Sequence, residues 1–215
     1  MRLALLALAA LAATGCQSAY FSTMEKLGYE KRDLLVARVD DAREAQQEAG
    51  EQFRSALEEF QAVTGYQGGD LQAAYERLQD EYDVSERRAE AVRSRIDDVE
   101  RVSEALFEEW EDELDLYSNS ALRANSERQL EQTRARYETL ITAMHRAEER
   151  MTPVLAVFRD QVLFLKHNLN ARAIASLRGE LSRVEGNVDA LLRDLDRAIA
   201  EADVFVRTLQ SGTGA

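Results

Sequence analysis

The residue with the most specific chemistry in this sequence is its single cysteine, Cys16. The chain begins with one basic residue, and residues 3–13 form an apolar run with the length of a bacterial secretory signal. Small residues lead up to Gly15, and a cysteine directly after such a signal is an acceptor for a diacylglyceryl group. We therefore predict cleavage after Gly15 and lipidation of Cys16, since several acyl chains anchor stably where one does not. The alternative is an ordinary cleaved signal in which Cys16 is incidental.

Other residues that could carry chemistry are sparse. The two histidines, His145 and His167, both lack the glutamate three residues earlier that di-iron sites in helical bundles use. No cysteine remains for nucleophilic catalysis once Cys16 is lipidated, and no Gly-x-Ser-x-Gly sequence occurs. None of the three lysines follows a glycine-rich phosphate loop. We expect no metal, no cofactor and no enzymatic activity.

The charge balance argues against nucleic acid as a partner. The chain has 27 basic and 40 acidic residues, a net charge of −13, and loss of Arg2 with the signal would make it −14. Such a chain repels phosphate backbones, which bind proteins through basic surfaces. With 45% hydrophobic and 31% charged residues, the composition is typical of long helices.

The elements that position these residues are helices with heptad patterns. In the first helix, two rows spaced by seven residues interleave as a coiled-coil seam; they are Leu35, Ala42, Ala49, Ala56 and Val63, and Val39, Gln46, Phe53 and Phe60. The seam stops at residues 64–70, where three glycines predict a turn and Asp70 predicts a helix N-cap.

The second helix has the same organisation and ends at the cap cluster Ser118–Ser120. Its rows are Leu71, Leu78, Ser85, Val92, Val99 and Leu106, and Tyr75, Tyr82, Ala89, Ile96, Ser103, Trp110 and Tyr117. The tyrosines could form a carbohydrate platform, and the acidic run around Trp110 could collect cations weakly. We expect instead that the tyrosines and Trp110 face the core and that the acidic residues form a solvated face.

The third pattern begins near Leu122, and two positions could end the helix. Thr152-Pro153 could start a new helix, but apolar residues resume at once, which favours a kink there. A break at His167–Asn170 instead gives two pieces that match the first two helices in length, about 45 residues or roughly 68 Å each. The fourth helix then runs through Ile174, Leu191 and Leu209.

These patterns predict an all-α fold of long antiparallel, coiled-coil-like helices in an up-down-up-down four-helix bundle. We assign residues 1–15 to the signal peptide, 16–22 to the lipidated N-terminus and spacer, 23–210 to the elongated bundle and 211–215 to a loose tail.

Two segments carry a resemblance to a known family. The stretches Tyr20–Arg32 (YFSTMEKLGYEKR) and Val162–Ala173 (VLFLKHNLNARA) resemble a bacterial lipoprotein family described as domain of unknown function 2959. The resemblance covers essentially the whole chain after Cys16. It implies a lipoprotein and brings no catalytic residues.

Alternating helices would place the turns at two ends. We call the start of the first helix, the Ser118–Ser120 turn and the C-terminus the proximal pole, expected near the membrane. The distal pole, roughly 65–70 Å away, would hold the turns at Gly65–Asp70 and His167–Asn170. It gathers neutral and basic residues in an otherwise acidic chain and is our candidate contact site for an anionic partner: Tyr66, Gln67, Lys166, His167, Asn168, Asn170 and Arg172. The alternative is that the asparagines only cap helices and that His167 is a satisfied residue at the end of a helix.

Together these features favour a lipid-anchored helical structural or interaction protein of the bacterial envelope. Gln17 follows Cys16 where Gram-negative lipoproteins retained in the inner membrane usually have Asp, so the resemblance implies the periplasmic face of the outer membrane. The expected partner is an envelope protein or peptidoglycan. The alternative function is a periplasmic binding module for a small ligand or a cell-wall polymer.

Overall fold

The computed structural model describes residues 30–66, 68 and 70–211. These residues contain four helices: α1 (Lys31–Thr64), α2 (Leu71–Leu114), α3 (Ser120–His167) and α4 (Ala171–Ser211). Within the same residues there is no β-strand, which confirms the all-α prediction. The predicted signal peptide, Cys16 and the spacer lie outside the described residues, as do residues 23–29, Gln67 and residues 212–215.

The turns between helices follow the predicted cap residues. The Asp70 carboxylate accepts a hydrogen bond from the backbone N–H of Ala73 at 3.2 Å and so caps the start of α2. The Asn119 side chain accepts from the N–H of Ala121 at 2.9 Å and caps α3. Gly68 has φ of 144°, a backbone conformation that favours glycine and that reverses the chain between α1 and α2.

Helices that follow one another in the chain pack side by side, and α1 also packs against α4. The four helices therefore form a closed bundle in which short turns force neighbours to run antiparallel. This arrangement confirms the predicted up-down-up-down packing.

The core follows the predicted seam most closely on α1. All nine residues of its two predicted rows are buried, including the large side chains of Phe53 and Phe60. Gln46 occupies one of these positions, fully buried, and neither atom of its amide has a hydrogen-bond partner among the described residues. A buried amide without a partner costs free energy of folding, so Gln46 is a weak layer in an otherwise apolar seam.

The third helix does not end at Pro153. It is a single helix of 48 residues with Pro153 inside it, and the chain reverses at Asn168–Asn170. Pro153 is exposed, while Val154 and Phe158 in the following turns are buried. The apolar stripe thus continues through the proline, and the length argument identified the correct break.

The ends of the predicted patterns were wrong in three places. Tyr117 lies beyond the end of α2 and is 41% exposed, because the heptad row was extended past the helix. Leu122 is 56% exposed, since buried positions on α3 begin only at Ser126. Ser211, predicted in the loose tail, is the last residue of α4.

Candidate functional site

The distal pole brings the two predicted turns to the same end of the bundle. Arg178, in the second turn of α4, donates hydrogen bonds to the backbone carbonyls of Thr64 and Tyr66. The turn after α1 is thus held against the start of α4, which directly follows the turn at Asn168–Asn170. Sequence reasoning missed Arg178, although it belongs to the stretch of residues 161–179, which contains no acidic residue.

The two asparagines at this pole have structural roles. The Asn168 amide donates to the Phe164 carbonyl at 2.8 Å and satisfies one carbonyl at the end of α3. The Asn170 side chain accepts from the N–H groups of Arg172 and Ala173 at 3.0 and 3.1 Å and caps α4. Helix capping accounts for both asparagines without a partner.

Three basic side chains at the distal pole face solvent. Lys166, His167 and Arg172 are exposed, and their side chains make no hydrogen bond or ion pair with any residue in the described part of the chain. Lys166 and His167 lie in the last turn of α3, where positive charge is favoured by the helix dipole. Arg172 lies at the start of α4, where the dipole opposes it, so local helix stability does not account for this residue.

The remaining two predicted contact residues contribute differently. Tyr66 is half-buried against the core, and its backbone carbonyl is bonded by Arg178. Gln67 lies outside the described residues.

Exposed apolar side chains complete the distal pole. Leu163, Phe164 and Leu169 are 51%, 39% and 37% exposed. The sequence contained the signal, since Val162–Leu165 are four consecutive apolar residues and a helix buries only a stripe of them. The surface therefore combines apolar and basic groups, with no acidic residue between positions 161 and 179.

A second cluster that sequence reasoning missed joins α2 to α3. His145 lies 2.9 Å from a carboxylate oxygen of Glu100 and 3.2 Å from one of Glu148, and Arg93 donates to Glu148 at 2.9 Å. Partial burial lowers the pKa of His145, but the hydrogen bonds to both carboxylates outweigh it, so the net pKa is raised. Burial likewise opposes ionisation of Glu148, yet Arg93 and His145 lower its pKa overall. The cluster is an ionic link between helices.

A tyrosine with a shifted pKa and a further ionic link lie elsewhere along the bundle. Burial, aided by the hydrogen bond to Glu86, raises the pKa of Tyr82 to about 12. The buried carboxylate of Asp194 receives Arg146 and Arg150, each at 3.1 Å, and links α4 to α3. In the described residues no group of three or more His, Cys, Asp or Glu side chains could hold a metal ion.

Two clefts lie at the proximal pole. Their volumes are about 340 and 280 Å³, and Arg32, Trp110 and Leu209 line both. Lys31 pairs with Glu109 at 2.9 Å across the first. Both are open, mixed polar and apolar surfaces at the bundle end, and the first reaches the buried seam residue Leu106. Among the residues described, no helix has the length and apolar character that a membrane span requires.

The fold and these surfaces define a four-helix bundle with chemically different ends. A family model described as protein of unknown function DUF2959 matches residues 20–209, and the chain belongs to this family. No curated protein and no solved structure matches the chain.

Proposed function

We propose that this protein is a lipid-anchored structural or interaction protein of the bacterial envelope, held on the periplasmic face of the outer membrane and without catalytic activity. The observation that carries the proposal is the basic distal pole of an acidic bundle. Lys166, His167 and Arg172 extend from it without partners among the described residues, beside exposed apolar side chains. Exposed, clustered groups of this kind mark interaction surfaces.

The chemistry of the pole favours an anionic partner. The rest of the molecule supplies the negative charge, since the chain as a whole carries −13. A contact at the distal pole would therefore be oriented: an anionic surface is attracted to this end and repelled by the acidic sides. Peptidoglycan, through its carboxylates, and an acidic envelope protein both fit this description. Nucleic acid does not, because the long acidic sides would repel an extended polyanion.

The anchor in this proposal is the lipid on Cys16. It is supported by the position of the single cysteine after the apolar run and small residues of the N-terminus. The first described residue, Glu30, lies at the proximal pole, so an anchor at Cys16 leaves the distal pole directed away from the membrane.

Replacement of Cys16 by serine tests the anchor. Cys16→Ser should move the protein from the membrane fraction to the soluble fraction, with unchanged helical content, because Cys16 precedes every described helix. A variant that stays with the membranes would contradict lipid anchoring.

Site-specific photo-crosslinking tests the contact. We would place a benzophenone amino acid at position 169, an exposed turn residue, in otherwise wild-type cells and in cells with Lys166, His167 and Arg172 all replaced by alanine. The triple replacement should abolish capture while the melting temperature stays nearly unchanged. The matched control removes three exposed arginines from the sides, Arg87, Arg193 and Arg197, and should keep capture intact. Equal capture in the two triple variants would contradict the contact site.

The proximal clefts favour the second candidate function, a binding module for a small ligand or cell-wall polymer. Trp110 offers an aromatic face, and its indole N–H is already bonded to Ser126 at 2.8 Å. The clefts are open to solvent, whereas small-molecule sites usually enclose most of the ligand. Saturable binding of a muropeptide that is lost in Trp110→Ala and retained in the distal triple variant would favour this alternative.

A further inference from the structure

We propose that the turn between α2 and α3 is a second membrane contact, which seats the proximal pole on a zwitterionic phospholipid surface beside the lipid anchor. This inference rests on the proposed lipidation of Cys16. We call the exposed side chains of Leu116, Tyr117 and Leu122 the apolar tip.

The apolar tip is the most exposed apolar feature of the described residues. Leu116 is 81% exposed, Leu122 is 56% exposed and Tyr117 is 41% exposed. Residues 115–123 are exposed without interruption, so the turn projects from the end of the bundle. A turn requires only small polar residues such as Ser118 and Asn119, and exposed leucines add nothing to it.

The tip is held by its own small core. Phe107, Leu114 and Leu130 are buried together, with Trp110 packed against them. Asp115 pairs with Arg123 at 3.0 Å across the turn. The apolar tip is therefore presented on a fixed support, so inserting it into a bilayer interface costs little ordering of the chain.

The N-terminal chain places this tip next to the lipid. Lys31 pairs with Glu109 in the last turns of α2, so α1 begins at the same pole as the tip. Cys16 precedes Glu30 by 14 residues, which is at most about 50 Å of chain even when fully extended. A lipid on Cys16 thus keeps the tip within reach of the surface that holds it. Leucine and tyrosine are suited to the boundary between acyl chains and headgroups.

The acidic residues around the tip favour a zwitterionic lipid headgroup over an anionic one. Residues 104–115 contain seven acidic and no basic residues. Three of these carboxylates are paired, Glu109 with Lys31, Glu111 with Arg134 and Asp115 with Arg123. The others face solvent and would be repelled by an anionic surface. A zwitterionic surface accepts the apolar side chains without this repulsion. A second copy of the same pole is disfavoured, because the two acidic ends would repel each other.

The single tryptophan makes the proposal measurable. Trp110 lies in the support of the tip and is the only tryptophan in the chain. We would reconstitute the lipidated full-length protein into phosphatidylcholine vesicles carrying nitroxide-labelled lipid and measure quenching of its fluorescence. The fluorescence of the wild-type protein should fall by at least about two-fold relative to vesicles without labelled lipid. The fall should be smaller when the vesicles contain phosphatidylglycerol, because the acidic residues are repelled by this anionic lipid.

Variants separate the tip from the anchor. Leu116→Ser with Leu122→Ser should abolish the quenching while the protein stays vesicle-bound and keeps its helical content. The matched control, Leu163→Ser with Leu169→Ser at the distal pole, should leave quenching unchanged. A vesicle-bound wild-type protein with unquenched Trp110 overturns this inference alone, as does a cross-linked dimer that depends on Leu116. A purified protein whose mass shows unmodified Cys16 overturns the proposed function itself.

Discussion

Phe53 is the residue whose truncation most clearly tests the packing of the bundle. Its side chain is fully buried in the middle of α1, in one of the two predicted seam rows. Phe53→Ala removes the buried ring and leaves a cavity, which together cost about 3–5 kcal/mol of unfolding free energy. For a chain of this length each kcal/mol lowers the melting temperature by roughly 2–4 °C. The expected decrease is therefore about 6–20 °C.

Thermal unfolding followed by circular dichroism measures this decrease, and Phe164→Ala is the matched control. Phe164 is 39% exposed at the distal pole, so the same substitution leaves no enclosed cavity. Its cost should stay below about 2 kcal/mol, the part of the burial energy that this side chain gains. Equal shifts for the two variants would refute the heptad register on α1 and, with it, the assignment of the core.

Three further predictions concern stability. Gln46→Leu should raise the unfolding free energy by about 1–2 kcal/mol in chemical denaturation, because it removes two unpartnered buried polar atoms; a loss would mean that the amide has a function in the core. Gly179→Ala with Gly186→Ala should stabilise α4 by about 1 kcal/mol each, since an added Cβ meets no atom within 4 Å at either position; an unchanged melting temperature would contradict this. The pKa of His145 is raised in the folded protein. The stabilisation of the fold by protonated His145 is therefore complete below the ordinary pKa of 6.5 and is lost as pH rises through the pKa in the folded state. Wild type should therefore lose more melting temperature between pH 6 and pH 8 than His145→Gln, and equal losses would show that the ionic link does not matter.

Much of the fold could be predicted because heptad spacing is a local property of the sequence. Every residue named in the two rows on α1 is buried in the structure. Glycine, aspartate and asparagine marked the turns, and the structure shows the helix caps that these residues predicted. The break after α3 required an argument about length, because Pro153 is compatible with both a helix start and a helix interior. The ends of the heptad patterns were harder to predict. Leu122 belongs to the apolar pattern of the third helix in the sequence but is exposed, because the neighbouring helix that would bury it has already ended.

The candidate site was predictable only in part. Topology alone placed the two distal turns together, and composition identified Lys166 and Arg172. The hydrogen bonds of Arg178 to the end of α1 could not be predicted, since they join residues 112 and 114 positions apart. The ionic link at His145 was missed for the same reason, because Glu100 comes from another helix. Contacts between helices depend on rotation and register, which the heptad pattern fixes only approximately.

The central claim, that the distal pole is the contact surface of an anchored bundle, can be tested in wild-type cells by one measurement. The chain has three lysines, Lys26, Lys31 and Lys166, and Lys166 is the one at the distal pole. An amine-reactive photo-crosslinker applied to intact cells, followed by mass spectrometry of the captured species, reports which lysine faces a partner. We expect cross-links to other envelope components through Lys166. Cross-links that run through Lys31 and leave Lys166 unreacted with any partner would contradict a contact surface at the distal pole.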